Sequence, residues 1–523
     1  MGLRSPLLPV AAALVIVAGL MGGQAARAET TDAGPSTWTT TDITDANVAR
    51  AVAAVPGLIA TARARAGVPG MAVAVVSHGK VLLAAGYGER VAGSGLPVDA
   101  DTVFQMASVS KPVGATVISR AVSQGLVQWN DPIRRYLPGF ALDSAYVTRN
   151  VTIGDMYAHR SGLPDHAGDD LESIGYQQEY ILDRLRYVPL SPFREGYDYT
   201  NFGLTAGGEA VAAAAKSTWA NLADRLLFTP AGMTSSSYRF ADYNRSPNKA
   251  LTHRPVNGVW QHLESLDGDP EAPAGGLSST AHDMARWMLL QLGDGTIDGR
   301  QLIDPAVLQV MRQPHSVSAP PTDPTARPGL YGYGIGTGVD GTGHVRWSHS
   351  GAFYAGAGTI VDMAPAADLG IVVLSNGLPR GESEAVAASF FDIAETGALQ
   401  RDWFEVYAQA FAPILVDRTM LAGRTPPPGA TPVRSLAAYV GTYANEYVGD
   451  ARVVRRGNRL VLLLGPRSMA FPLTAWGGNR FSYRMPGEGG LGRSAVDFRP
   501  DAGTVTIEHF DQFGLGTLVR KRP

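Results

Sequence analysis

The chain has 523 residues, of which 45% are hydrophobic and 17% charged, a formal net charge of −3, and no cysteine. That length calls for more than one domain and can bury a large core. The mild charge excludes a nucleic-acid surface or polybasic membrane attachment, and the missing cysteines exclude disulfides, thiolate chemistry and thiol-linked lipid.

Residues 1–28 read as a cleaved export signal, with Arg4 at the positive start, an apolar run over 7–20 and the small-x-small site Ala26-Arg27-Ala28. The run is long enough to approach a membrane span, so an uncleaved anchor is the competing reading. Cleavage removes two arginines and no acid, taking the charge from −3 to −5 and leaving no membrane span. A secreted or periplasmic location follows. Residues 29–44, rich in Thr, Asp and Ser, read as a flexible leader.

A helical pattern covers 47–66, and apolar runs at 71–76 and 81–85 flank the turn Ser77-His78-Gly79-Lys80 as a hairpin. Ser108-Val109-Ser110-Lys111 follows. Residues three apart on a helix share a face, so an unprotonated Lys111 would draw the proton from Ser108. The same Ser-x-x-Lys spacing recurs in 77–80 and 246–249, but those stretches read as turn and loop. Only Ser108 opens an apolar repeat of helical period, with Met106, Val109, Val113 and Val117 on one face. Pro112 then belongs in the first turn, where a missing N–H costs least.

From 108 to about 285 helical segments dominate, broken by loops rich in Gly, Pro and Asp, with Asp131-Pro132 as one helix start. Tyr199-Thr200-Asn201 sets a phenol and an amide two residues apart. A phenolate near neutrality needs a cation beside it, for which Lys111 is the candidate. Asp165, His166, Asp169 and Asp170 can be drawn as an oxygen-rich metal site, but a solvated loop is the better reading, and no metal is expected. Strand patterns return at 344–350, 358–363 and 369–375, followed by helices over 382–394, closed by Gly397, and 403–412. Trp347-Ser348-His349-Ser350-Gly351 reads as a strand reaching a glycine that lets another backbone approach.

Residues 421–432, with Pro426-Pro427-Pro428, read as a semi-rigid linker between a domain over 45–420 and a second over 433–523. The second carries short strand patterns at 452–456, 459–464, 469–473, 480–485, 495–498 and 504–510. Turns at 457–458, 477–478 and 501–503 separate them, which favours a small barrel or sandwich.

Taken together and in order, Ser108-x-x-Lys111, Tyr199-x-Asn201 and His349-x-Gly351 resemble the three motifs of class C β-lactamases and their esterase, D-aminopeptidase and DD-peptidase relatives. The flanking segments 159–164, 228–233 and 275–280 resemble recurring segments of that family. The tail, with Tyr439-Val440-Gly441-Thr442-Tyr443, Asn445 and Tyr447, resembles the lipocalin-like barrel appended to some of its peptidases, so Tyr443-x-Asn445 is a barrel sequence rather than a second catalytic motif. The resemblance implies an α/β (α+β) β-lactamase-like fold: an antiparallel sheet flanked by helices with an inserted helical lobe, plus a small all-β C-terminal barrel.

It also implies a serine hydrolase that works through a Ser108 acyl-enzyme. Lys111 and Tyr199 form the base pair, Asn201 holds the substrate amide or acyl group, and Gly351 and Ala352 line the oxyanion site. His349 stands where the β-lactamases carry lysine. A histidine is mostly neutral above pH ~6.5, which favours ester or peptide substrates over β-lactams. The competing reading is a penicillin-recognising sensor or a β-lactamase with slow turnover. No cofactor is expected. The partner is a small-molecule or peptide substrate, not nucleic acid, and the oligomeric state, a homo-oligomer included, stays open.

Overall fold

The computed structural model describes residues 43–485 and 492–522, so the export signal and nearly all of the leader lie outside the described residues. The first helix, α1 (Asp45–Ala66), starts where the Thr44 side chain accepts from the Asn47 N–H, and ends at Gly67 with φ +76°. It leads into β1 (Gly70–Ser77) and β2 (Lys80–Gly88), joined through His78 and Gly79, both at positive φ, as a tight hairpin requires. Six more antiparallel strands complete the eight-stranded sheet: β3 (Ser316–Ala319), β4 (Gly329–Tyr331), β5 (Gly336–Val339), β6 (Val345–Phe353), β7 (Ala357–Ala364) and β8 (Leu369–Ser375). Their order is β2-β1-β8-β7-β6-β5-β4-β3, so the sheet's first and last strands in sequence, β1 and β8, pair with each other.

Every residue of β1 is buried, because the sheet is covered on both faces. Met71, Val73 and Val75 face α1 and the helices near the end of this domain, Glu382–Thr396 and Trp403–Phe411. Ala72, Ala74 and Val76 face the helical lobe. The lobe contributes α2 (Ser110–Ser123), α3 (Asn201–Ala214) and α4 (Ala281–Leu292). The helix expected from Asp131-Pro132 is a single 3-10 turn, Ile133–Arg135. Asp131 there accepts from the Gln128 N–H, Arg135 and Tyr136 rather than capping an α-helix.

The C-terminal strands form a nine-stranded sheet that begins with Met469–Pro472 and ends with Thr474–Gly477. These two edges are consecutive in sequence, so the sheet curls into a nearly closed barrel. Tyr439, Tyr443, Phe481 and Phe498 fill its centre with edge-to-face contacts. Tyr443 donates to the Tyr439 carbonyl and Asn445 to the Leu515 carbonyl, as barrel residues. The β-lactamase-like fold with a C-terminal barrel is the one the motifs imply.

Candidate active site

Ser108 lies in a 3-10 turn, Ala107–Val109, that runs straight into α2. Between 102 and 119 it alone is not buried. Ala107 is held at φ +46°, a conformation that costs a residue with a Cβ about 1–3 kcal/mol. Its neighbours over-determine it. Met106 N donates to Leu277 O (2.8 Å), Thr359 Oγ1 to Met106 O (2.8 Å) and Ser110 Oγ to Ala107 O (2.5 Å), while Ser110 Oγ accepts from Leu277 N (3.0 Å).

The Lys111 side chain comes back over this turn to put Nζ 3.0 Å from Ser108 Oγ. Nζ also lies 2.8 Å from Asn201 Oδ1 and 3.1 Å from the Ala274 carbonyl oxygen, both of which only accept. Asn201 is oriented by its own Nδ2, which donates to Asp169 Oδ2 at 3.0 Å. Lys111 is wholly buried, and burial brings its pKa down to about 8, although Glu271 and Asp169 favour the charged form. At pKa 8 a tenth of the amine is neutral one unit lower. Its two N–H bonds then go to Asn201 and Ala274, and its lone pair faces the serine.

Tyr199 enters from the residue before the N-cap of α3, and its ring lies under the amine, 4.5 Å from Nζ. Burial holds the phenol well above its ordinary value, with the Ser108 hydroxyl acting the other way. The phenolic oxygen is buried and makes no hydrogen bond of ordinary geometry. His159 packs against the ring at a tilt of 32°, with centroids 4.6 Å apart, and its Nδ1 accepts from Thr200 N at 3.1 Å.

Gly351 sits where β6 crosses the serine turn. A Cβ there would lie 2.4 Å from Thr359 Oγ1, 2.6 Å from Met106 O and 3.0 Å from Ser108 N, so only glycine lets the strand approach. Ala352, its neighbour, pairs with Gly358 in the sheet.

His349 is 8% exposed and both its ring nitrogens are engaged. Nδ1 lies 2.7 Å from the Ser350 carbonyl, so it carries the proton, and Nε2 accepts from the Tyr331 hydroxyl at 2.8 Å. Burial and then the nearby Lys111 push its pKa down to about 3. The imidazole is neutral throughout the ordinary pH range, and its ring centroid is 6.5 Å from that of Tyr199.

The structure thus brings Ser108, Lys111, Tyr199, Asn201 and Gly351 to one place, with His349 beside them. Sequence reasoning missed the loop that orients them. Asp165, His166, Asp169 and Asp170 are not a solvated loop. Asp165 accepts from the Tyr199 N–H, and Asp169 Oδ2 takes both Asn201 Nδ2 and, at 2.6 Å, His166 Nδ1. The closeness of three acids to the Tyr-x-Asn motif was legible only as composition. Ala274 was missed too, because a carbonyl oxygen leaves no trace in residue type. The Ser-x-x-Lys decoys stay apart from the site: Lys249 binds the carbonyls of Asn244 and Ser246 in its own loop.

Among the described residues, Asp340, His344 and Glu395 are close enough together to hold a metal ion. The Arg346 guanidinium already supplies the positive charge there, 3.4 Å from Asp340, 3.0 Å from Glu395 and 2.6 Å from Asp362.

The Beta-lactamase family model matches residues 55–392. The chain belongs to the Beta-lactamase family. A domain of unknown function, DUF3471, matches 425–514, the barrel. Penicillin-binding protein 4 of Amycolatopsis lactamdurans is 29% identical over 392 residues, covering 70% of this chain and 95% of that protein. The unguisins hydrolase ungD′ of Aspergillus campestris is 26% identical over 399 residues, 72% of each chain. The octameric penicillin-binding protein homologue from Pyrococcus abyssi superimposes with a TM-score of 0.58 at 17% identity, over 89% of this chain and 99% of that one. A class C β-lactamase from Rhodobacter sphaeroides does so with a TM-score of 0.52 at 20% identity, over 65% and 98%. At such identities these two show the fold. Family membership supports serine hydrolase activity.

Proposed function

We propose that the protein is an exported hydrolase that cleaves an amide or ester bond through an acyl-enzyme on Ser108, as a peptidase or esterase. The observation that carries this reading is the Lys111 amine, 3.0 Å from Ser108 Oγ, with its other two partners both obligate acceptors. Neutral Lys111 takes the serine proton as Oγ attacks the substrate carbonyl. The backbone N–H groups of Ser108 and Ala352 receive the oxyanion, each worth about 3–4 kcal/mol in comparable sites. Tyr199, beside the Ser108 hydroxyl and the amine, passes the proton to the leaving group, and water then attacks the ester under the same base. Tyr199 works as a neutral phenol in this scheme, because burial opposes the phenolate.

Neutral His349, tied to Tyr331 and Ser350, offers no cation to a substrate carboxylate, which favours uncharged ester or amide groups over β-lactams. Labelling with a fluorophosphonate, peptide mapping, and a panel of p-nitrophenyl esters, D- and L-amino-acid amides and a chromogenic β-lactam test the assignment. Label elsewhere than Ser108, or undiminished labelling of Ser108→Ala, would refute it. The resemblance to penicillin-binding protein 4 supports a second reading, a penicillin-acylated sensor. A stoichiometric burst without steady-state release from the β-lactam would favour it. The octameric homologue makes a homo-oligomer worth measuring by light scattering.

A further inference from the structure

We infer that the C-terminal barrel is a working part of the active site, with Tyr447 as a positioning residue for the Lys111–Asn201 pair; this rests on the acyl-enzyme reading above. The segment 165–176 has two sides. On the inner side Asp165 accepts from the Tyr199 N–H and Asp169 holds Asn201 Nδ2 at 3.0 Å, and Asn201 in turn holds Lys111 Nζ at 2.8 Å. On the outer side the barrel grips the same segment. Tyr447 donates to Asp170 Oδ1 at 2.6 Å, His509 Nε2 lies 2.9 Å from Ser173 Oγ, and Tyr176 donates to the Val448 carbonyl at 2.9 Å. Tyr447 is 1% exposed, so its hydroxyl bond is made inside the protein rather than at a wet rim.

Asp169 and Asp170 are adjacent residues of one helical turn, Asp169–Glu172. A shift of Asp170 therefore carries Asp169 with it, and Asp169 is what fixes the Asn201 amide. Catalytic hydrogen bonds lose effect steeply with displacement of about an ångström, so a barrel contact two bonds away governs the amine.

The test is Tyr447→Phe, which removes one hydroxyl and keeps the ring, beside Tyr187→Phe, whose hydroxyl meets Glu446 of the barrel at the exposed edge of the same contact, 3.5 Å away. Steady-state kinetics are measured across pH on the best p-nitrophenyl ester, with thermal unfolding of each full-length protein. Tyr447→Phe is expected to lower kcat about tenfold with KM within twofold, and to move the acid limb to lower pH, because a displaced Asn201 no longer stabilises the protonated amine. Tyr187→Phe is expected to leave both unchanged. A Tyr447→Phe protein with wild-type kcat and an unmoved limb overturns the inference. So does a loss of kcat with an unmoved limb that merely follows a fallen unfolding midpoint. Failure of wild-type Ser108 to take the fluorophosphonate would instead refute the underlying reading.

Discussion

At the scale of single residues, Lys111 carries the sharpest predictions. In the proposed scheme its neutral form is the active one, and burial brings its pKa down to about 8, so kcat/KM on an uncharged ester should rise with pH and level off above about 8. Lys111→Arg keeps the charge but cannot lose its proton near neutrality, so turnover should fall by about 10²–10⁴-fold in the folded protein. Retention of more than about a tenth of kcat would leave Lys111 as an electrostatic partner only. The same shift bears on stability. An unfolded lysine keeps its proton to about pH 10.4, so between that value and the folded pKa of about 8 the unfolded chain binds more protons. This site therefore adds stability as pH rises through that window, and subtracts it below. Gly351→Ala is the second test: its methyl would press on Met106 O and Ser108 N, both backbone. A loss of about 10²–10³-fold in kcat, the size seen when an oxyanion donor is removed, should accompany about 1–3 kcal/mol of destabilisation in urea titration. The spacing of Ser108 and Lys111 was readable because three residues make one helical turn. The engagement of both His349 nitrogens was not, since Tyr331 lies 18 residues away and joins it only through sheet pairing.

At the scale of elements, long apolar runs were the legible ones. The expected strand at 369–375 is β8, Leu369–Ser375, and the helix closed by Gly397 runs Glu382–Thr396. The sheet's outer strands β3, β4 and β5 went unread. They are short and partly exposed or glycine-rich, so neither length nor alternation marks them. What ties β6 and β7 to the helix Glu382–Thr396 is a buried charge cluster. Arg346 bonds Asp362 at 2.6 Å and Glu395 at 3.0 Å, and stacks on the Phe391 ring 3.2 Å from its centroid. Arg346→Leu would strand three buried carboxylates, so the native state should lose about 3–5 kcal/mol, as when one partner of a buried pair is removed. Urea unfolding followed by fluorescence measures it. A loss below about 1 kcal/mol would mean that the acids simply take up protons.

At the scale of the whole molecule, the apolar core of the lobe continues into the barrel: Leu171, Ile174 and Ile181 belong to the same buried cluster as Tyr447, Val448 and Leu464. Removing everything after Ala422 would expose that face. The shortened protein should melt well below the full chain or aggregate, and the full chain should unfold with activity and fluorescence lost together. A truncated protein with the full chain's midpoint would show that the barrel is merely tethered. The proline-rich stretch and the change to short strands announced two units from sequence alone, because linker and turn chemistry are local. How firmly the units join was not announced, since a docking surface is assembled from residues far apart in the chain. The same division holds for the site. Local spacing and its apolar context by themselves singled out Ser108, Lys111 and Gly351 as candidates, because each follows a helical or strand pattern. Only the tertiary structure decided that the amine is buried and brought to a pKa near 8, that Asn201 and Ala274 take its two protons, and that a loop of acids gripped by the barrel holds Asn201 in place. Those features depend on desolvation and on contacts across tens to hundreds of residues, which a one-dimensional pattern does not encode.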